Sequence, residues 1–308
     1  MSIEHVYVLG HRHDLRFTQC CVASIRRWYP EIPISLLKDE SRGAYDTSEL
    51  ESAWNVRAVQ PVPPRGWAKL EPLFLPGRQR CLILDSDIVF AGRVIDTLEA
   101  VDADFVVEAW GSVPERTALD YYDPSALAEL DPEFVFPGYT FNAGQLVATT
   151  GVLQREDFEP FVRFGDQPEP NRPDVFRGQD QGLLNYVLQK KAQLGELTLE
   201  RVPFMVWGPT LRRGQIRTRN LTDDSPYRCL VHWAGGKARL LRFVPRSGLL
   251  RHFEAYYYSR IPAGRRTRAW RSARRLWRIA SGQEPLHTRG GGGSALREAR
   301  RQARKFTR

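Results

Sequence analysis

The sequence of 308 residues has no long apolar run and few cysteines. No stretch of about 18 uninterrupted apolar residues is present, which argues against a membrane-spanning helix. The four cysteines are too few for a disulfide framework in a chain of this length, and the absence of Cys-x-x-Cys pairs argues against a cysteine zinc site. The first residues lack a basic segment followed by an apolar one, so we expect no secretory leader and a cytoplasmic protein.

The composition is that of a folded protein with an uneven charge. Apolar residues make up 42% of the chain and aromatic residues 11%, which excludes wholesale disorder. The formal net charge is +9, but residues 260–308 carry 15 basic and two acidic side chains, whereas residues 1–259 carry 30 and 34. The positive excess therefore belongs to the C-terminal segment, and a core that binds nucleic acid is not expected.

Short apolar runs alternate with amphipathic stretches over the first two hundred residues. We expect strands at 5–9, 34–37, 54–59, 81–84, 105–107, 141–149 and 231–233. We expect helices at 17–28, 67–75, 156–164 and 178–191. This alternation predicts an α/β fold with a mostly parallel sheet flanked by helices. In such sheets ligands bind at the carboxyl ends of the strands.

A pair of carboxylates directly follows one of these strands. The segment Asp85-Ser86-Asp87 comes after the apolar run at 81–84. Two carboxylates at the mouth of a parallel strand can share a hard divalent cation that also binds phosphate oxygens. A solvated turn is the alternative interpretation, and it is the one we expect for the second Asp-x-Asp, at 102–104, which no strand precedes.

Several segments occur in an order that is typical of one enzyme family. Besides the carboxylate pair they are Lys69-Leu70-Glu71-Pro72-Leu73, Phe141-Asn142-Ala143-Gly144, Gly178-Gln179-Asp180-Gln181-Gly182-Leu183-Leu184-Asn185 and His232-Trp233-Ala234-Gly235-Gly236-Lys237. Together they resemble GT-A nucleotide-sugar glycosyltransferases, in particular the retaining family 8 enzymes that include glycogenin and lipooligosaccharide galactosyltransferases. The resemblance covers residues 1 to about 240 and implies a GT-A (Rossmann-like) fold.

The resemblance also implies an activity and a set of site residues. The activity is metal-dependent transfer of a sugar, with retention of configuration, from a nucleoside diphosphate sugar, preferably a UDP-sugar, to a glycan or lipid-linked acceptor. The metal, Mn²⁺ or Mg²⁺, would be held by Asp85, Asp87 and His232. The donor-binding residues would be Val8, Lys69, Asp85, Ser86, Asp87, Asn142, Ala143, Gly144, Gly235 and Lys237. The catalytic residues would be Gln181 and Asp180.

Each of these roles has a purely structural alternative. His232 could be a core histidine, and Lys69 an exposed helix residue. Asp180 could be a first-turn acid favoured by the helix dipole. Asn142 could be a strand amide bonded to backbone, and Gly235 part of an ordinary turn.

The family places a residue that matches Gln181 beside the anomeric carbon. An amide is a poor nucleophile, so a covalent glycosyl-enzyme is not expected. We favour a front-face reaction in which a leaving phosphate oxygen accepts the proton of the acceptor hydroxyl. In that reaction Gln181 stabilises the positive charge that develops on the sugar.

The C-terminal segment, residues 260–308, is predicted to be a separate extension of a 1–259 glycosyltransferase domain. On a helical wheel Trp270, Leu276 and Trp277 lie opposite the arginines at 268–278, and residues 296–308 repeat the design after the glycine-rich linker at 290–294. Two basic amphipathic helices suit an anionic membrane surface, here the inner face of a membrane, contacted through residues 265–308. A helix packed on the domain with its basic face in solvent, and a disordered tail with affinity for RNA, are the alternatives.

Two other functions remain open at this point. A sugar nucleotidyltransferase on the same fold should carry a glycine-rich phosphate loop after the first strand, and residues 8–11 lack one. A non-catalytic scaffold, bound to a membrane or nucleic acid through its tail, would lose all binding when residues after Arg260 are removed.

Overall fold

The computed structural model describes residues 1–62, 65–109, 120–165, 168–177, 180–235 and 238–286. Three predicted features, Lys237, the glycine-rich linker and the second basic helix, lie outside these ranges. The strands are β1 (His5–His11), β2 (Ile34–Asp39), β3 (Val56–Val59), β4 (Arg80–Asp85), β5 (Ile88–Phe90), β6 (Phe105–Glu108), β7 (Gln145–Thr149), β8 (Val162–Arg163), β9 (Glu169–Pro170), β10 (Leu199–Val202), β11 (Met205–Trp207) and β12 (Leu230–His232). The α-helices are α1 (Leu15–Trp28), α2 (Ser48–Trp54), α3 (Val94–Glu99), α4 (Pro124–Leu130), α5 (Asp180–Gln193), α6 (Gly248–Ser259) and α7 (Gly264–Ala280).

The main sheet has seven strands in the order β10-β6-β7-β4-β1-β2-β3. All neighbouring pairs are parallel except those of β7, which runs antiparallel to β4 and to β6. A smaller sheet, β11-β12-β5, adjoins it, with β12 antiparallel to β5. The predicted α/β architecture with a mostly parallel sheet flanked by helices is therefore confirmed.

Both faces of the main sheet are buried. Alternate residues of β1 point to opposite faces, so Val6 and Val8 pack on the side of α1 and α6, whereas Tyr7 packs on the side of α5. Helix α1 ends at Trp28 because Pro30 disfavours helical backbone at the residue before it.

Three predicted elements differ from the structure, each because of a local side chain. The helix at 67–75 is a 3-10 helix, Arg65–Phe74, because the ring of Pro72 obstructs the α-helical hydrogen-bond ladder. The helix at 156–164 is wrong: Pro160 interrupts it, and the segment forms a 3-10 turn and strand β8. The strand at 141–149 begins only at Gln145, because the side-chain Oδ1 of Asn142 accepts from the Gly144 N–H and makes a turn.

Helix α7 is the first of the two predicted basic helices, and it packs on the core through its basic face. The Arg268 guanidinium lies 2.9 Å from a carboxylate oxygen of Glu254, and that of Arg271 lies 2.8 Å from Glu49. Trp270 and Trp277 are 58% and 59% exposed. The alternative with the basic face in solvent is wrong for Arg268 and Arg271, because buried or half-buried acids attract them. Among the helices of the described ranges, none is both long and apolar enough to span a membrane.

Candidate functional site

Two strands bring the predicted metal ligands to one edge of the main sheet. Strand β4 ends at Asp85, and the following turn carries Asp87 and leads into β5. Strand β12 pairs antiparallel with β5, with His232 opposite Ile88. The backbone N–H of Trp233 donates to the Asp87 carbonyl over 3.0 Å. His232, distant in the sequence, is therefore held beside both carboxylates.

The three side chains form a compact cluster. One ligand atom from each of Asp85, Asp87 and His232 lies within 4.8 Å of the other two. His232 Nε2 is 3.1 Å from Asp87 Oδ1 and 4.0 Å from Asp85 Oδ2. His232 and Asp87 are buried, whereas the Asp85 side chain is 31% exposed. The cluster is thus buried in the fold and reachable from solvent on the Asp85 side.

The chemistry of the cluster fits a divalent cation. Both ring nitrogens of His232 are buried, and neither makes a hydrogen bond to any residue that the structure describes, although Nε2 lies 3.1 Å from the Asp87 carboxylate. A buried imidazole without a partner is costly, and a metal ion would use its lone pair. Two carboxylates and an imidazole are suitable ligands for Mn²⁺. They are also suitable for Mg²⁺ if the remaining coordination positions are filled by oxygen ligands.

Gly144 leaves the space in which this cluster sits. A Cβ at this position would lie 2.6 Å from His232 Cε1 and from Asn142 Oδ1, and 2.8 Å from Asp85 Oδ2. The Gly144 carbonyl also accepts from the Asp85 N–H over 2.7 Å. The indole of Trp207 stacks on the other side of the His232 ring, with 5.2 Å between ring centroids. The His232 ring is therefore fixed on two sides.

Lys69 connects the metal cluster to helix α5. Its ammonium lies 3.2 Å from Asp85 Oδ1 and 2.9 Å from Asp180 Oδ2, and it donates to the Ala143 carbonyl over 2.9 Å. Burial raises the pKa of Asp180 to about 6, and the Lys69 ammonium limits the rise. Burial alone would lower the pKa of Lys69, but the carboxylates of Asp180 and Asp85 outweigh it and raise that pKa. The interpretation of Lys69 as an exposed helix residue is wrong.

A chain of amides lies beside this ion pair. The Asn142 amide donates to Gln181 Oε1 over 3.2 Å, and Gln181 Nε2 donates to the Asp120 carbonyl over 3.1 Å. Asn185, one turn along α5, donates to the Gln181 carbonyl and exchanges two hydrogen bonds with the backbone of Phe141. These contacts fix the Gln181 amide and attach α5 to the turn before β7.

The remaining predicted donor residues that the structure describes lie at the same edge or beneath it. Ser86 is buried, and its N–H donates to the Leu9 carbonyl over 3.1 Å. Gly235 follows β12 with a φ of 89°, a backbone conformation that favours glycine. The Val8 side chain is fully buried in the core, and the residue lies within β1 between Leu36 of β2 and Leu84 of β4. Lys237 lies outside the described ranges, so its role stays a prediction.

Two residues of the site were given no role in the sequence analysis, although Asn185 belongs to one of its motifs. Trp207 lies on β11 and has no motif around it, because its stacking on His232 depends on the pairing of β11 with β12. Asn185 lies four residues after Gln181, on the same face of one helix, and that spacing is a signal that the sequence does contain.

Comparison with known proteins identifies the fold. No family model matches the sequence, and no curated protein matches it. Among solved structures, the galactosyltransferase LgtC, in complex with donor and acceptor sugar analogues, matches at 15% identity and a TM-score of 0.53, over 83% of this chain and 95% of LgtC. The bifunctional glycosyltransferase WbbM matches at 13% identity and a TM-score of 0.51, over 83% of this chain and 50% of WbbM. The chain therefore spans half the length of WbbM, and it has the expected GT-A fold.

Proposed function

We propose that this GT-A chain is a metal-dependent, retaining glycosyltransferase that uses a nucleoside diphosphate sugar, preferably a UDP-sugar. The observation that carries the proposal is the buried Asp85–Asp87–His232 cluster, whose imidazole has no hydrogen-bond partner among the described residues. The same cluster lies beside a buried lysine and a fixed amide pair. LgtC, which shares the fold, is a galactosyltransferase with a donor and an acceptor sugar analogue bound.

Charge is the first contribution of these residues. The bound Mn²⁺ or Mg²⁺ would supply Lewis acidity that neutralises the leaving diphosphate. Lys69 adds a fixed positive charge, since Asp85 and Asp180 keep its ammonium protonated and in place. Ser86, Gly235 and Lys237 complete the proposed donor contacts through a hydroxyl, a close backbone approach and a second ammonium.

Orientation of the sugar is the second contribution. Asp180 and Asn142 offer a carboxylate and an amide to sugar hydroxyl groups, and Gly144 and Ala143 leave room for the ring. Gln181 is held at both ends of its amide, so its oxygen presents a fixed partial negative charge. That dipole stabilises the positive charge that develops at the anomeric carbon.

Retention follows if the acceptor attacks from the side of the leaving group. The bond from the anomeric carbon to the phosphate oxygen breaks, and the bond to the acceptor oxygen forms on the same face. The released phosphate oxygen takes the proton of the acceptor hydroxyl. No covalent enzyme intermediate is required, which agrees with an amide rather than a carboxylate at position 181.

The acceptor is proposed to be a glycan or lipid-linked sugar at an anionic membrane surface. Helix α7 supports this, because Trp270 and Trp277 are exposed while neighbouring arginines supply positive charge, with Arg274 stacked over Trp270 at 5.1 Å. Replacing Trp270 and Trp277 by serine should abolish co-sedimentation with phosphatidylglycerol vesicles. Unchanged sedimentation would contradict this part of the proposal.

The decisive experiment for the activity compares the two Asp-x-Asp sequences of the chain. Asp87→Ala should eliminate Mn²⁺-dependent transfer and donor hydrolysis, whereas Asp102→Ala, at an exposed position of the second pair, should leave both unchanged. Near-parental activity of Asp87→Ala with added Mn²⁺ would overturn the metal assignment. The anomeric configuration of the product, read by NMR, tests retention separately.

A further inference from the structure

A second concave site is lined by seven arginines. It is a cavity of about 680 Å³ between the segment after β11 and the start of α6. The first segment contributes Arg212, Arg213, Arg217 and Arg219. The start of α6 and the residues before it contribute Arg242, Arg246 and Arg251. Among the residues that the structure describes, none of the proposed donor or metal residues lines it, so the cavity is distinct from the metal cluster.

No acidic side chain of the described part of the chain lines the cavity, which leaves the positive charge of these arginines uncompensated there. All seven arginines are exposed. Within the ranges that the structure describes, none of them forms an ion pair with a carboxylate, in contrast to Arg268 and Arg271 of α7. Seven like charges around one cavity create a local positive potential that attracts anions.

The backbone around these arginines is fixed although their side chains have no acidic partner. The Arg217 N–H donates to the Tyr227 hydroxyl over 2.9 Å, and the Arg212 N–H donates to Gln215 Oε1 over 3.0 Å. Leu211 and Leu249, which also line the cavity, belong to the hydrophobic core. The cavity is therefore a fixed feature of the fold.

The start of α6 contributes a second source of positive potential. The twelve-residue helix begins at Gly248, and the preceding Ser247 makes no capping hydrogen bond with its side chain to any described residue. The first N–H groups of a helix carry partial positive charge and bind anions. Both Ser247 and Gly248 line the cavity.

We infer that this cavity binds a ligand that carries several phosphate groups. The planar guanidinium group matches two phosphate oxygens at once, whereas one phosphate leaves most of seven arginines without a partner. The phosphates can belong to headgroups of an anionic bilayer or to a soluble phosphorylated glycan. The site does not depend on the proposed sugar transfer.

Two charge-reversal variants of the full chain test the inference. Arg219→Glu with Arg251→Glu alters the cavity, and Arg57→Glu with Arg163→Glu makes the same change of charge at exposed positions elsewhere. Binding of tripolyphosphate is measured by titration calorimetry in the presence of EDTA. We expect the affinity of the cavity variant to fall on the order of a hundredfold, about tenfold per arginine, and that of the control variant by less than about threefold.

Vesicles of phosphatidylglycerol and phosphatidylcholine distinguish the two sources of phosphate. Vesicle binding that falls in the cavity variant only assigns the site to lipid headgroups. Vesicle binding that is equal in all three proteins, with tripolyphosphate binding lost in the cavity variant, assigns it to a soluble phosphorylated ligand. Equal losses of tripolyphosphate affinity in both variants, or no loss in the cavity variant, would overturn the inference.

Discussion

The substitution Gly144→Ala tests whether a metal ion binds beside Gly144. The added methyl group would lie 2.6 Å from both His232 Cε1 and Asn142 Oδ1, and 2.8 Å from Asp85 Oδ2. Each of these distances is below 3.0 Å, so the neighbouring atoms must move. Two of the three neighbours belong to proposed metal ligands.

The size of the effect follows from these distances. Moving the neighbours to ordinary contact requires shifts of about half an ångström or more, whereas metal–ligand distances tolerate about 0.2 Å. We expect the affinity for Mn²⁺ to fall about 10- to 100-fold, which is about 1.4 to 2.7 kcal/mol. Overpacking should lower the free energy of unfolding by about 1 to 3 kcal/mol, and Tm by about 2 to 4 °C for each kcal/mol.

The assay is a titration with Mn²⁺ in which free Mn²⁺ is measured by electron paramagnetic resonance. Gly165→Ala is the matched control, because a Cβ at Gly165 would meet nothing within 4 Å. The control should bind Mn²⁺ like the parent protein. Parental affinity in Gly144→Ala would show that the ion does not bind beside Gly144 and would refute the metal assignment.

Three further predictions follow from the site and from α7. Lys69→Met should abolish transfer and lower the free energy of unfolding by about 3 to 5 kcal/mol, because it leaves the buried Asp180 without its ion-pair partner; a chemical denaturation curve that matches the parent would contradict it. Gln181→Ala should lower kcat about 100- to 1000-fold with little change in donor KM, since the lost dipole acts on the transition state; an unchanged kcat would refute that role. Burial would raise the pKa of Glu254, but hydrogen bonds and charges of Arg16 and Arg268 outweigh it and lower that pKa. The stability that ionised Glu254 contributes is complete above the ordinary glutamate pKa and is lost as pH falls through the lower pKa of the folded state. A plot of Tm against pH should therefore fall in that acidic range for the parent protein, and it should fall less for Glu254→Gln.

Most of the proposed site could be predicted because its residues lie within short local motifs. The Asp85–Asp87 pair follows an apolar strand, and Asp180 and Gln181 stand at the start of a helix. The neighbouring residues in the sequence therefore indicate that these side chains lie at the edge of the sheet. The resemblance added His232, whose position beside the carboxylates depends on the pairing of β12 with β5. The link from Lys69 to both Asp85 and Asp180 required the structure, because three separate elements meet there.

The distribution of charge over the folded protein could not be predicted from the sequence. The first 259 residues contain 30 basic and 34 acidic side chains, so their net charge gives no sign of the arginines around α6. The acidic residues that balance these arginines in the count do not, where the structure describes them, line the same cavity. Helix α7 shows the opposite case: its sequence is strongly basic, but two of its arginines pair with Glu49 and Glu254, and its tryptophans are exposed. Net charge by segment cannot show which charges are paired in space.

Thermal stabilisation by a panel of nucleoside diphosphate sugars, with and without Mn²⁺, tests the central claim most directly. A UDP-sugar at about 100 times its Kd should add about 2.7 kcal/mol to the stability of the folded state, which is about 5 to 10 °C in Tm. We expect this shift only when Mn²⁺ is present, and we expect it to be lost in Asp87→Ala but not in Asp102→Ala. The absence of stabilisation by any nucleotide sugar, or a shift that persists without Mn²⁺ and in Asp87→Ala, would contradict it.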